Sequence, residues 1–422
     1  MFNKRLIIAI SSILIILMAL LLFIDSRIVV DIVFIIALLK LIVIDKFKYY
    51  NPSVSFIVPW IILYSFQKMS ITIYTRDIDF MTWKLMSIPV LLSTIISPEY
   101  FSFKGKAETA ADAGINHKWF KYALWGCYAL FFANFIYSGY LPLISLLKDG
   151  NSDYFDYGIK GLNGLFYAYS NAFGLLCYYL YLQTKEKKYL YFLSSIFLIF
   201  LLCVTRQNII SLIFEILIIH TFKVKPINIK KIMLYGLGLI LMFGFIGQLR
   251  SGDIKELIGL KSDYFWIPTA FLWIYSYGFF NILNLDNLVH GGSYGLFNGS
   301  SLSTLIPSFL RPDYDDGGSM LEVSNFTISS YINPIFQDLG YYGVLIFTVI
   351  VVLLTVYNYK KALVIGNFRA ISIYSVLFFC ALFSFFVNFW FYLPIVFQIP
   401  FLIMFSKKIL YTNNDLSLHG EL

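Results

Sequence analysis

Apolar residues in this chain come in long runs separated by short polar stretches, and that pattern predicts a series of membrane-length helices. A spanning helix needs about 20 predominantly apolar residues, with roughly 17–25 the usual range. Runs of this kind lie at 6–24, 28–44, 54–73, 80–97, 119–138, 165–182, 189–204, 209–222, 232–249, 341–357, 370–387 and 391–405. Those at 209–222 and 391–405 are short, so their helices extend into the flanking loops. The stretch 370–405 is too long for one helix, and its turn is expected at Phe389 to Pro394. The predicted fold class is all-α: a polytopic membrane helix bundle of about 12 transmembrane helices, forming a single integral membrane domain over 1–422.

Composition strengthens this reading. Hydrophobic residues make up 59% of the 422 and charged residues only 13%, against roughly 25% charged in a soluble domain. No soluble fold of this length buries so much apolar surface. Aromatics, at 19%, suit long helices with interfacial anchors. The start, Met1 to Arg5 before an apolar run, has the look of a signal peptide. No small-x-small cleavage site follows and further apolar runs do, so it reads as a retained first span. Cys127, Cys177, Cys203 and Cys380 lie in or at the ends of apolar runs without CxxC spacing, which indicates neither a metal site nor a disulfide framework.

The net charge of +8 would suit nucleic acid, but its distribution argues for membrane orientation. With the N-terminus inside and the spans alternating, the inner loops carry Lys4/Arg5, Lys46/Lys48, Lys104/Lys106/Lys118, Lys185/Lys187/Lys188, Lys223/Lys225/Lys230/Lys231, Lys360/Lys361/Arg369 and Lys407/Lys408. With Lys40 and Lys121 at inner span ends, 21 of the 32 basic residues are then inside, while 16 of the 24 acidic residues fall outside. Both termini are therefore expected in the cytoplasm. Residues 264–285 tempt a thirteenth span, but Trp266, Trp273 and three tyrosines crowd them and Pro268 interrupts them. A crossing there would also reverse every later basic loop. The segment reads as an interfacial or re-entrant helix. Two outer loops are long, 139–164 and 250–340, and the second folds against the bundle. The tail Thr412 to Leu422 reads as disordered.

Charges at outer span ends are costly unless used or paired, and three arginines stand out. Arg206 sits in the turn Thr205-Arg-Gln-Asn, Arg250 ends the ninth span, and Arg311 lies in Pro307-Ser-Phe-Leu-Arg-Pro-Asp. Converging guanidinium groups would clamp phosphate or pyrophosphate with two parallel bonds each; pairing with loop carboxylates or headgroups is the plain alternative. His290 is the one histidine of the outer loops and a candidate general base, or an ordinary loop histidine. The Asp313-Tyr-Asp-Asp-Gly-Gly turn lacks the distant Glu of a calcium loop and reads as a solvated turn before a metal site. Glu215, in mid-span, must face the bundle interior or be protonated, with helix packing its expected role. Asp153, Tyr154, Asp156 and Tyr157 alternate carboxylates with rings, a surface suited to sugars and equally to an aromatic belt.

The chain resembles the bacterial O-antigen polymerases, also called oligosaccharide repeat-unit polymerases or Wzy proteins. The residues that carry the likeness are the Thr205-Arg206-Gln-Asn turn, Gly139-Tyr-Leu-Pro-Leu before the Tyr/Asp-rich loop, and Asn325-Phe-Thr-Ile…Gln337-Asp-Leu-Gly-Tyr-Tyr-Gly. The last is similar to the family's N-x-T…D-x-G-x-x-G pattern. The resemblance implies a C-type glycosyltransferase-like fold in the inner membrane. It implies transfer of a growing glycan from undecaprenyl pyrophosphate to the terminal sugar of an incoming lipid-linked unit. It further implies that Arg206, Arg250 and Arg311 act at the donor, that Asn325 and Asp338 contact substrate, that no cofactor or metal is used, and that a chain-length regulator protein is a partner. Arginine donors stabilising the growing charge of a pyrophosphate leaving group suit that chemistry. The rivals are a lipid-linked oligosaccharide flippase, which would need charges lining a central cavity, and an O-antigen ligase, which shares the donor.

Overall fold

The computed structural model describes residues 12–13, 16, 26–101, 112–149, 156–251, 253–291, 294–307, 310–311, 321–323 and 326–412. The described residues are 75% helical, with fifteen α-helices among them. They are α1 Arg27–Val43, α2 Pro52–Met69, α3 Phe80–Ile95, α4 His117–Ser138, α5 Pro142–Asp149, α6 Leu162–Thr184, α7 Lys188–Leu202, α8 Arg206–Lys223 and α9 Ile229–Ser251. Then follow α10 Ile254–Leu257, α11 Thr269–Gly291, α12 Ile332–Ile365, α13 Phe368–Leu382, α14 Leu393–Val396 and α15 Gln398–Lys408. Strand β1 Asp112–Ile115 pairs antiparallel with β2 Leu410–Thr412. Eleven of the twelve apolar runs coincide with helices; the first, 6–24, lies almost wholly outside the described residues.

Local sequence explains the helix boundaries. Asn51 caps α2 by accepting from Ser53 N at 3.0 Å, with Pro52 in the first turn where a missing N–H costs nothing. Asp79 caps α3 through Met81 N at 2.7 Å and Asn367 caps α13 through Ala370 N at 2.9 Å. By length and composition, one described helix, α12, is long and apolar enough to cross a membrane, with mean hydropathy 2.4. The bent pair of α4 and α5, 43° apart, passes when taken together; α3, α7 and α13 are apolar but shorter.

Side-chain contacts sort the connections into two ends. At one end Tyr49 joins Thr221 and the backbone of Ile227, and Tyr374 reaches Tyr50 O. Tyr179 packs at a tilt against Phe368 and lies under Lys223, while Lys408 lies over Trp119. These contacts gather the segments carrying Lys46, Lys48, Lys118, Lys185, Lys225, Arg369 and Lys407. At the other end lie Asp77, Asp79, Asp286 and Glu322.

Helix α11 covers the segment expected to be interfacial or re-entrant, displaced toward the C-terminus. Ile73 N bonds Gly259 O and Lys261 N bonds Ile71 O just ahead of it, and at its far end Asp286 accepts from Asp79 N. Both flanks thus meet the single loop between α2 and α3, at the acidic end. The helix crosses α2 at Leu63 and Phe66, against Gly278, where a Cβ would come within 2.7 Å of the Phe66 ring. It also packs along α9, with Ala270 on Gly244 and Trp273 on Gly247. The turn between α13 and α14 spans 383–392, longer than the expected Phe389 to Pro394. It is pinned because Tyr331 N and Asn281 Nδ2 bond its carbonyls.

Candidate functional site

The turn from α7 into α8 positions Arg206. Backbone bonds Val204 N to Leu201 O and Thr205 N to Phe200 O close α7, and Val204 takes the left-handed φ of +54°. A β-branched residue there is strained and persists only where surroundings enforce it. The enforcement comes from below: Asn208 donates to Thr205 Oγ1, and Asn171 of α6 donates to Asn208 Oδ1 at 3.2 Å and Ser211 Oγ at 3.3 Å. Asn171, Asn208 and Ser211 are all buried. Arg206, half-buried at the first position of α8, has no ion-pair or hydrogen-bond partner among the described residues. Beside it, Gln207 Nε2 is buried without a partner. A guanidinium and an amide donor at the positive end of an 18-residue helix attract an anion.

Tyr157 belongs to this corner but not as a sugar platform. It is 2% exposed, edge-on to Tyr140, with its hydroxyl beside the Cys203 thiol. Burial above all, and Cys203 next, raises the phenol above its ordinary range, so it stays neutral. Gly158 permits the tuck: its φ is +87°, and a Cβ would stand 2.7 Å from Asn134 Oδ1. Asn134 Oδ1 instead accepts from Ile159 N at 2.9 Å, and Ser138 Oγ from Gly158 N at 2.7 Å. Asp153 and Tyr154 lie outside the described residues.

His290 stands in the last turn of α11, not in a loop. Its Nδ1 faces Asp286 O at 2.9 Å and its Nε2 is 4.0 Å from Asp79 Oδ2, with the side chain 60% exposed. Around it lies a network absent from the sequence reading. Arg76 pairs with Asp286 at 3.3 Å and Glu322 at 2.9 Å and meets Asn287; Asp286 also accepts from Thr82 Oγ1 at 3.0 Å. The guanidinium of Arg76 is thereby neutralised, which distinguishes it from Arg206. The α13–α14 turn stands between the two groups, touching α8 through Phe214–Phe383 and α11 through Tyr277–Phe386. The structure does not bring His290 to Arg206.

Asp338 organises the large loop. Its carboxylate accepts from Gly299 N at 3.0 Å, Ser301 N at 3.4 Å and Ser301 Oγ at 2.6 Å, while Phe297 N bonds its carbonyl. Two residues on, Gly340 breaks α12 at φ +65° and ψ −165°, a conformation open to glycine alone. A Cβ on Gly343 would lie 2.1 Å from that of Leu339 across the break. Within the D-x-G-x-x-G pattern, Asp338 thus anchors the loop and the glycines permit the helix break. Beside it lies an open cavity of about 270 Å³ lined by Phe297, Leu302, Ile335, Leu339, Phe347 and Phe391, with Asp338 at its rim. Asn325 and the Asp313–Asp316 turn are outside the described residues. Arg311 is exposed and, among the described residues, donates to Ile306 O at 3.3 Å. For Arg250 only the backbone is described, in the last turn of α9. No three His, Cys, Asp or Glu gather as metal ligands among the described residues, and the four cysteines are free and buried.

Comparison with family models, curated proteins and solved structures finds no match to this chain.

Proposed function

We propose that this chain is a bacterial inner-membrane glycosyltransferase that polymerises lipid-linked oligosaccharide repeat units. In this reading twelve helices cross the bilayer in a C-type glycosyltransferase-like fold, with the basic end and both termini in the cytoplasm. The acidic end faces outward and receives two substrates, an undecaprenyl-pyrophosphate-linked glycan and an incoming lipid-linked unit. A chain-length regulator would act beside it; nucleic acid is no partner.

The observation that carries the proposal is Arg206: half-buried, unpaired among the described residues, at the N-terminus of α8. A cation left without a carboxylate in a pinned turn is arranged for an anion that arrives from outside the protein. The pyrophosphate leaving group gains charge as its glycosidic bond breaks, and a fixed guanidinium is worth most at that moment. Arg250 and Arg311 are the further candidates for the same anion, and His290 for removing the acceptor's proton.

A flippase is the second reading, favoured by the buried polar line of Asn171, Asn208, Ser211, Glu215 and Gln398. Deletion of the gene separates the two. A cell without a polymerase still displays one repeat unit on its surface lipid; a cell without a flippase displays none. Loss of even the single unit would remove the polymerase proposal.

A further inference from the structure

Four carboxylates are buried among the described residues, and three have clear partners. Asp45 pairs with Lys40 at 3.0 Å, Asp286 with Arg76, and Asp338 with the large loop. The fourth, Glu215, lies in the middle of α8 with no exposed surface, and neither of its oxygens has a hydrogen-bond partner. Two side chains face it from the elements packed against α8. Gln398 of α15 is within hydrogen-bonding reach and itself fully buried, and the Cys380 thiol of α13 lies near. No cation pairs with Glu215 among the described residues. Gln398 Nε2 is directed at Pro394 O, at 3.4 Å, while its Oε1 has no partner. The amide nitrogen, held only at 3.4 Å to Pro394 O, keeps an N–H to offer Glu215.

We infer that Glu215 is a proton-binding site, a neutral carboxylic acid whose carbonyl oxygen accepts from the Gln398 amide and which ties α15 to α8, the helix that begins at Arg206. An ionised carboxylate stripped of water and without a cation is disfavoured far more than its protonated form. One proton removes the buried charge and leaves a Glu215 carbonyl oxygen to accept from Gln398 Nε2. Helix α8 is then held at three heights: by Asn171 near its start, by Gln398 in the middle and by Tyr49 at Thr221. Glu215 and Gln398 are positioning residues, and the inference stands apart from the polymerase reading.

The test combines infrared difference spectra with a thermal double-mutant cycle on the purified full chain. The difference between wild type and Glu215→Gln should contain the carbonyl band of a protonated carboxyl, unchanged from mildly acid to alkaline pH. A carboxylate band in its place overturns the inference. Glu215→Gln should melt with the wild type, because its amide carbonyl still accepts from Gln398. Glu215→Leu and Gln398→Leu should each lower the melting temperature by several degrees by orphaning the partner, and the double Leu variant should recover most of the loss. Glu215→Gln melting as low as Glu215→Leu, or a double variant that adds the two losses, overturns the inference. Should the Leu variants fail to fold, the infrared band and the Gln variant still decide it.

Discussion

Arg206 and Arg76 show how little residue type alone says about role. Both are arginines at the acidic end, yet Arg76 is bound by Asp286 and Glu322 and Arg206 by nothing described. The sequence exposed Arg206, because a basic residue in a short turn between apolar runs is conspicuous. It hid the Arg76–Asp286 pair, whose members lie 210 positions apart; the one available signal was an aspartate closing an apolar helix, which needs a partner. Tyr157 was legible as a loop tyrosine but not as a buried one, because its burial depends on a glycine turn and on Asn134 across the fold. If Arg206 clamps pyrophosphate, Arg206→Ala should lower polymerisation roughly 10²–10³-fold with unchanged protein in the membrane. Arg206→Lys keeps the charge without the planar fork and should leave shorter chains. Chain-length ladders beside an immunoblot read both; a Lys variant with full-length chains would reduce Arg206 to a headgroup contact.

At the scale of elements, helix positions followed from apolar run length, and the boundaries shifted by capping and glycine. The opening of α12 was read as a family pattern of substrate-contacting residues; in the structure its carboxylate holds the loop and its glycines allow the helix to break. No periodicity reveals that Asp338 answers Ser301, since loop-to-helix bonds of this kind depend on where the loop returns. Asp338→Ala would orphan three donors, at about 1–3 kcal/mol for each that stays buried. The loop around 296–306 should then be cleaved faster in limited proteolysis, with the melting temperature lowered. Cleavage at the wild-type rate would mean that the anchor lies elsewhere. Helix α11 was separable from a crossing helix in sequence by its aromatic crowding and by the charge pattern downstream. Its contacts with the α2–α3 loop at both flanks agree with a helix that stays at one end.

The whole molecule has a basic end and an acidic end, and the contacts that assemble them join segments far apart in the chain. That asymmetry was legible because basic and acidic connections alternate along the chain; which groups converge was not, because convergence is set by packing. A reporter active only outside the cytoplasm should be active when fused after Gly299 and silent after Lys231 or Lys361. Activity after Lys361 would mean that α11 crosses. The central claim, that this chain joins repeat units, is tested most directly by reconstitution. Purified wild-type protein in lipid vesicles is given lipid-linked repeat units extracted from cells that lack the gene, and the glycans are resolved by size. The account predicts a ladder of whole repeat units from the protein alone; folded protein that leaves every unit single would contradict it.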